Sequence, residues 1–358
     1  MNVAIVAPKK VASTGIANWA QNLFRESVGA EEIKLIELSE ETYVESVVND
    51  GYFGKEPEMA DVSELSNKLE KLVSENNIDI VHYSLMSRPF EVKRAIKVAE
   101  TAKKLNCAVI MHFHCYIEEF YDKNQNDQKL NFNKLIGLTD LALVMNQGSK
   151  IFLETEYGVK CEYLANFVGR DALNETRNYA KISNIISVGN MERNAGVFDT
   201  IEVAKKHPHI QFNMIGGIEK ATEDLISQKD FLPRNVKFHG RKTPAELKKH
   251  WQKADLFLFP TYYKGGFSMA LLEAMSQGLP CLASASMPNK EVLKKHLKEQ
   301  TFTAGAVEEL DNKLSHLINL PVEGLKEIGE TNLKTVKNNY LSNIIIDRLI
   351  DIYSKLLA

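Results

Sequence analysis

The sequence predicts an α/β protein built from two doubly wound parallel sheets. Short buried-strand runs alternate with amphipathic helical stretches along the chain. The alternation restarts at Ile185 after a first complete series. The length of 358 residues is long for one core and suits two of roughly 150 to 180 residues each.

The first strand is Asn2-Val3-Ala4-Ile5-Val6-Ala7. Ser13-Thr14-Gly15-Ile16 then reads as a loop opening a helix from Ala17 to Phe24, with Trp19 and Leu23 at helical spacing. Ile78 to Tyr83 and Ala108 to His114 are further strand runs, each preceded by a helical stretch. His112 and His114 project from one face of the second run, because side chains alternate along a strand. The polar stretch Asp122 to Asn133 reads as a mobile loop by composition. The second series runs through Ile185 to Gly189, Gln211 to Gly217, Val236 to Gly240 and Leu256 to Phe259. Ile344 to Leu357 is an amphipathic helix with Ile345, Leu349, Tyr353 and Leu357 in one stripe.

Chemistry concentrates in residues 255–288. A strand stopped by Pro260 passes through Gly265 and Gly266 into an apolar helix, Ser268 to Gln277, closed by Gly278 and Pro280. A helix start offers unpaired backbone amides, here those of Phe267, Ser268 and Met269, together with the positive end of its dipole, and small residues let a phosphate approach. Glu273 is a lone carboxylate in that helix, at a depth where ribose hydroxyls could donate to it. Its alternative is a solvated or capping Glu. The pattern suits a nucleotide diphosphate.

These residues resemble the signature of the family 4 retaining glycosyltransferases, strongest at 255–283 and extending over nearly the whole chain. Glu273 matches the second signature glutamate, and Gly265 stands where the family has the first. The resemblance implies a GT-B architecture of two Rossmann-like domains facing across a cleft. Residues 1–167 would form the acceptor-side domain, joined by a C-terminal helix of about 340–358 that crosses back, and residues 168–339 the nucleotide-sugar domain. Leu141 to Met145 and Leu164-Ala165-Asn166 resemble the last strands of the first domain, Asn166 opening the linker.

The resemblance also assigns site residues. Gly15 stands in the family's glycine loop, and His114 occupies the strand end near the donor sugar. Gly189, Asn190, Gly240, Gly265, Gly266, Phe267, Ser268, Met269 and Glu273 line the donor site. Where the family carries an Arg and a Lys for the diphosphate, this chain has Asn190 and Ala195. Arg193 and Lys264 are the nearest replacement cations, each with a solvated surface residue as its alternative. His112, His114 and Glu118 give a metal reading, but the family resembles metal-independent catalysts. No metal and no cofactor beyond the nucleotide-sugar substrate is expected.

The implied function is a retaining glycosyltransferase that moves a sugar from a nucleotide-diphosphate donor to a carbohydrate, lipid-linked or protein-linked glycan acceptor, in bacterial surface polysaccharide or glycoconjugate assembly. Two alternatives stay open. One is a catalytically degenerate protein that binds a glycan or polypeptide and partners an active glycosyltransferase. The other is a nucleotide-sugar epimerase or hydrolase. The net charge of −3 argues against nucleic-acid binding through a basic field. Cys107, Cys115, Cys161 and Cys281 lack disulfide or zinc spacing. Without a membrane-span run or a signal-peptide layout, a cytoplasmic protein is expected. The runs Lys93, Arg94, Lys97, Lys103, Lys104 and Lys248, Lys249, His250, Lys253 read as solvated faces, or as peripheral contact with the inner face of an anionic membrane.

Overall fold

The computed structural model describes residues 1–8, 15–40, 60–86, 89–117, 126–229, 231–263 and 267–358. The chain divides into two units, Met1–Phe167 with Gly265–Phe267 and Ser342–Ala358, and Val168–Lys264 with Ser268–Leu341.

In the first unit, β1 (Asn2–Pro8), β2 (Lys34–Glu40), β3 (Ile80–Leu85), β4 (Ala108–Phe113), β5 (Leu141–Val144) and β6 (Cys161–Tyr163) form one sheet. Its order is β2-β1-β3-β4-β5-β6, and the pairings are parallel. Parallel strands are joined by crossovers that cover both faces, so their side chains are buried on both sides. The crossovers include α1 (Gly15–Glu26), α2 (Ala60–Asn76), α3 (Pro89–Lys104), α4 (Asn126–Gly137) and α5 (Gln147–Tyr157). One face, with Ala4, Val6, Val81, Tyr83 and Met111, shares a core with Leu69, Ala95 and Phe132. The other face carries His82 and His112, against which Trp19 of α1 packs, while Tyr353 of the C-terminal helix meets His82.

Several stretches differ from the sequence expectations. Residues 126–133 begin α4 rather than belonging to a mobile loop, and 122–125 lie outside the described residues. The exposed Asp127, Asn133 and Lys134 dominate the composition there, but Phe132, Leu135 and Ile136 make a buried helical stripe. Leu164-Ala165-Asn166 follows β6 instead of forming it. Those residues are buried, so their apolar character reports burial and not strand pairing. Strand β3 starts at Ile80 rather than Ile78, and just before it the Asp79 amide donates to the Asn2 carbonyl while the Asp79 carboxylate accepts from the Asn2 amide at 2.7 Å. The C-terminal helix runs Ser342–Leu357 and buries Ile345, Ile346, Leu349, Ile352 and Tyr353, whereas Leu357 is exposed. Arg94 departs from the solvated face of α3 and is buried, while Lys97 and Lys103 pair with Glu100 and Asp140.

In the second unit, β7 (Asn184–Val188), β8 (Gln211–Ile215), β9 (Val236–Phe238), β10 (Leu256–Phe259), β11 (Cys281–Ser284) and β12 (Thr301–Phe302) form a second parallel sheet, ordered β12-β11-β10-β7-β8-β9. Its helices are α6 (Val197–Lys206), α7 (Lys220–Ile226), α8 (Pro244–Lys253) and α9 (Met269–Ser276), then α10 (Met287–Val292), α11 (Leu297–Gln300), α12 (Val307–Asn319) and α13 (Val322–Asn339). The C-terminal helix of the first unit is α14. Strand order reverses between β7 and β10, and such a switch point opens a crevice beyond the carboxyl ends of the strands.

The C-terminal end of α9 is pinned from several sides. Arg177 donates to the carbonyls of Trp251 and Ala254 at the end of α8 and to that of Gln277 at the end of α9, placing one cation at the negative poles of both helices. The Ser276 hydroxyl and the Gln277 amide donate to the Ala172 carbonyl at 3.1 and 2.5 Å. Helix α13 approaches so closely that a Cβ at Gly329 would lie 2.2 Å from the Gly278 carbonyl oxygen. One turn along α13, buried Asn332 donates to the Leu279 carbonyl at 2.9 Å and to Gln300 Oε1 at 2.7 Å, and accepts from Gln300 Nε2 at 3.1 Å.

Asn332→Ala removes both donated bonds and strands the Gln300 amide. It is expected to destabilise the second unit by about 2–4 kcal/mol. Trp251 fluorescence during urea unfolding, in a Trp19→Phe background, measures this. A loss below about 0.5 kcal/mol would show that the amide pair does not hold α13 in place.

Candidate functional site

The carboxyl edge of the second sheet gathers most of the residues expected at the donor site. Gly189 and Asn190 follow β7 and are exposed. The turns after β7 and β8 touch backbone to backbone. Gly216 has φ +150°, and a Cβ there would sit 1.7 Å from the Gly189 carbonyl oxygen, so only glycine fits. Gly240 follows β9, and its carbonyl accepts from the Gly216 amide at 3.0 Å. Arg241 lies over this surface, since a Cβ at Gly217 would come 2.7 Å from its Nε. Sequence reasoning missed Arg241, which is remote in sequence from the signature stretch and is brought in only by the turn after β9.

Beyond β10, Thr261 to Tyr263 bond back to the loop after β7. The Tyr262 amide donates to the Asn194 carbonyl at 2.8 Å. The Tyr262 hydroxyl donates to Asp199 in the first turn of α6, at 2.8 Å to one oxygen and 3.0 Å to the other. The Tyr263 hydroxyl reaches Glu192 at 3.1 Å. Burial, then Asp199, pushes the Tyr262 hydroxyl up to about 12, and burial raises the Asp199 carboxyl. Arg193 is exposed and its guanidinium lies 4.9 Å from the Phe198 ring centroid, a cation–π contact. Ala195, on the same short turn, carries no charge. Lys264, Gly265 and Gly266 lie outside the described residues, as does Glu118 of the metal reading.

Helix α9 begins one residue later than expected, with Ser268 as its cap accepting from the Leu271 amide at 3.2 Å. The first amides of a helix have no intrahelical acceptor, so those of Met269 and Ala270 can serve an anion. Phe267, just before the cap, is buried, and its carbonyl accepts from Asn166 Nδ2 at 2.6 Å. Glu273 follows one turn inside the helix. Its carboxylate has no hydrogen-bond donor among the described residues, and burial raises its pKa to about 7.

In the first unit Gly15 is the first residue of α1, and no described atom lies within 4 Å of the place a Cβ would take. His114 stands just beyond β4 with its ring 4.0 Å from that of His112. Both meet Trp19, at 4.8 Å for His112 and 5.3 Å for His114. A third imidazole completes the cluster. His82, on neighbouring β3, lies 5.3 Å from His112 and bonds the Tyr353 hydroxyl through Nδ1 at 2.6 Å. Its membership depends on strand register, which sequence spacing does not reveal. His82 and His112 are 0% exposed and His114 6%, and His82 Nε2, both His112 nitrogens, His114 Nε2 and Trp19 Nε1 have no protein partner among the described residues. Burial drives the pKa of His82 and of His114 down to about 3 and that of His112 well below its ordinary value. Neutral rings with unpaired nitrogens suit hydroxyl groups better than ions. No described helix is long and apolar enough to cross a membrane.

Comparison with known proteins adds a family. Residues 172–335 match the family described as Glycosyl transferases group 1. The chain is 27% identical over 176 residues to an alpha-galactosylglucosyldiacylglycerol synthase of Streptococcus pneumoniae, covering 48% of this chain and 45% of that protein. It is 24% identical over 223 residues to a processive diacylglycerol alpha-glucosyltransferase of Acholeplasma laidlawii, covering 56% and 64%. The matches therefore span less than two thirds of each relative. Among solved structures, a sucrose-phosphate synthase from Thermosynechococcus elongatus superposes with a TM-score of 0.80 at 12% identity over 99% of both chains. The Anabaena protein HepE in complex with UDP-glucose gives 0.77 at 13%, over 99% of this chain and 100% of that one. Two six-stranded parallel sheets of this order, with these neighbours, are the GT-B fold.

The buried imidazoles set a pH dependence. Their folded pKa values lie below the ordinary 6.5, so unfolding takes up protons as pH falls, and stability present above pH 6.5 is lost progressively toward pH 3. Glu273 acts oppositely between pH 4.5 and 7 but is outnumbered three to one by the cluster. Urea unfolding followed through Trp19 in a Trp251→Phe background should give falling stability from pH 7.5 to pH 5, before most carboxylates titrate. A flat profile over that range would show that the cluster is protonated or opens in the native state.

Proposed function

From the membership of residues 172–335 in the group 1 glycosyltransferases, we propose that this chain transfers a sugar, with retention of configuration, from a nucleotide-diphosphate sugar to the hydroxyl of a lipid-linked or carbohydrate acceptor. The observation that carries this reading is Glu273: a carboxylate with no donor among the described residues, one turn inside a helix whose first amides stand at the carboxyl edge of a Rossmann-like sheet. Ribose hydroxyls donating to Glu273 would supply the missing bonds. The diphosphate would take the amides at the start of α9, with Arg241 the nearest added cation on that edge.

Both relatives carry diacylglycerol in their names, which supports a membrane glycolipid over a soluble acceptor and, with it, a peripheral position at the inner membrane face. Negative charge builds on the leaving phosphate, so preorganised amides lower the barrier. With no described side chain placed as a nucleophile, the leaving phosphate oxygen would accept the acceptor's proton on the same face of the sugar. A role in surface glycoconjugate assembly follows from such an acceptor.

A second reading, a degenerate partner of an active transferase, is favoured by one observation. Arg193 stacks on Phe198, and Asp199 occupies the first turn of α6, where an anion would otherwise be welcome.

A thermal-shift screen against UDP, GDP, ADP, CMP and their sugar conjugates decides between the two, because a ligand of the native state raises the melting temperature by mass action. One nucleotide should give a clear rise, and Glu273→Ala should weaken its binding by about tenfold or more, the loss of charge-assisted bonds. A cooperative melt unmoved by every nucleotide would favour the degenerate partner.

Binding should also be linked to protons. Ribose donors favour the ionised carboxylate, so affinity should climb about tenfold per pH unit up to about pH 7 and then level, with release of a proton. Calorimetry in two buffers of different ionisation enthalpy measures that release. Its absence below pH 7 would remove Glu273 from the ribose contact.

A further inference from the structure

The second unit holds a cavity of about 430 Å³, set between the β7–β8 face of the sheet and α8. A sheet face under a helix is ordinarily apolar. This one carries Asn184 and Asn213, and His239, Lys242, Lys249, His250 and Lys253 complete the wall. These polar side chains are half-buried or exposed, so the cavity is open to a solute.

The charges in the cavity do not balance. Glu246 is its one acidic lining residue, and that carboxylate is committed to the Thr243 amide at 2.9 Å and the Thr243 hydroxyl at 2.7 Å as the capping box of α8. Lys242, Lys249 and Lys253 form no ion pair with any described residue. The His239 and His250 rings lie 4.8 Å apart. Asn213 donates through Nδ2 to the Ile185 carbonyl at 3.3 Å, which fixes its Oδ1 as the acceptor for His239 Nε2 at 2.9 Å. His239 is thereby held as the Nε2–H tautomer, leaving Nδ1 to gain a proton. Both imidazoles titrate below their ordinary value, through burial first and then the surrounding positive groups: His250, Lys242 and Lys237 for His239, and Lys242 and Lys253 for His250, against which Glu246 acts.

We propose that this cavity binds the phosphate group of a phosphate-bearing anion, held by Lys242, Lys249, Lys253 and the His239–His250 pair. Three lysines and two imidazoles lining one cavity suit an acceptor with several oxygens pointing different ways. A tetrahedral phosphate supplies them, whereas a carboxylate has two oxygens in one plane. The volume admits a phosphate ester as well as the free ion. The phosphate can come from a soluble phosphate compound or from a phospholipid headgroup. The lining differs from the nucleotide reading, since none of the residues assigned to the donor site lines this cavity, although His239 and Lys242 flank Gly240 and Arg241 on the turn after β9.

The test uses the full chain and two probes. Inorganic phosphate is titrated at constant ionic strength against chloride, following the ring resonances of His239 and His250 by NMR. Phosphatidylcholine vesicles, with and without phosphatidic acid, are used in co-sedimentation. Each is repeated with Lys249→Glu/Lys253→Glu, whose exposed positions leave folding intact, and with Lys294→Glu/Lys295→Glu as a charge control elsewhere in the second unit.

Saturable phosphate binding that moves both histidine resonances, raises their pKa values and weakens about tenfold or more in the α8 variant but not in the control is the expected result. Binding only to phosphatidic acid vesicles, lost in the α8 variant and kept in the control, assigns the phosphate to a lipid headgroup. Binding of neither probe, or binding that both variants reduce alike, overturns the proposal. The UDP response of the α8 variant is read alongside, so that failure here is distinguishable from failure of the nucleotide site.

Discussion

The candidate donor site depends on where α9 ends. A helix rises a fixed 1.5 Å per residue, so fixing its last turn fixes the height of every side chain above it. Arg177, Ala172, Gly329 and Asn332 fix that last turn through backbone carbonyls and close contact, independent of the side chains on the functional face. Among the described residues, the first turn of α9 has the Ser268 hydroxyl as its cap and no other. One end is structural and the other is left for chemistry, and Glu273 sits between them.

Desolvation acts on both units in opposite electrostatic senses with the same result. Burial raises a carboxyl and lowers an imidazole, so each is biased toward neutrality. At Glu273 this costs stability in the empty protein at neutral pH, a cost that a hydroxyl donor offsets. At His82, His112 and His114 the neutral rings keep donor and acceptor nitrogens without charge. Hydroxyl-rich ligands answer both environments, in keeping with sugar chemistry and less so with a site built for bare ions.

Strands β1, β3 to β5 and β7 to β10 were legible because parallel strands are apolar on both faces, so Val3 to Val6 or Leu256 to Phe259 read as unbroken runs, whereas β2, β6, β11 and β12 went unread. The α9 region was legible because a strand stop, a cap, a lone carboxylate and a closing glycine lie within one short stretch. What escaped has physical reasons. Helix α4 buries only a narrow stripe, and its polar majority passes for a loop. Leu164 and Ala165 are apolar because they are buried, and burial alone does not make a strand. His82 joins His112 through the pairing of β3 with β4, in which Ser84 and not His82 lies opposite His112, so the meeting of the rings depends on diagonal reach across the ladder. Arg241 and the Tyr262–Asp199 bond likewise join residues that only the fold brings together.

Asp199 bears on how a diphosphate could be held. A helix start carries about half a positive charge, and a carboxylate in the first turn satisfies it internally. In α6 that place is taken, with Tyr262 donating to the carboxylate and Arg193 drawn aside onto Phe198. The start of α9 has no acidic residue in its first turn. Of the two helices that follow β7 and β10 at the switch point, α9 is therefore the one whose positive pole remains available to an anion. The phosphate contact then shifts toward α9 and leaves the β7 loop a neutral, hydrogen-bonding role, which is consistent with Asn190 and Ala195 standing where cations would otherwise be needed.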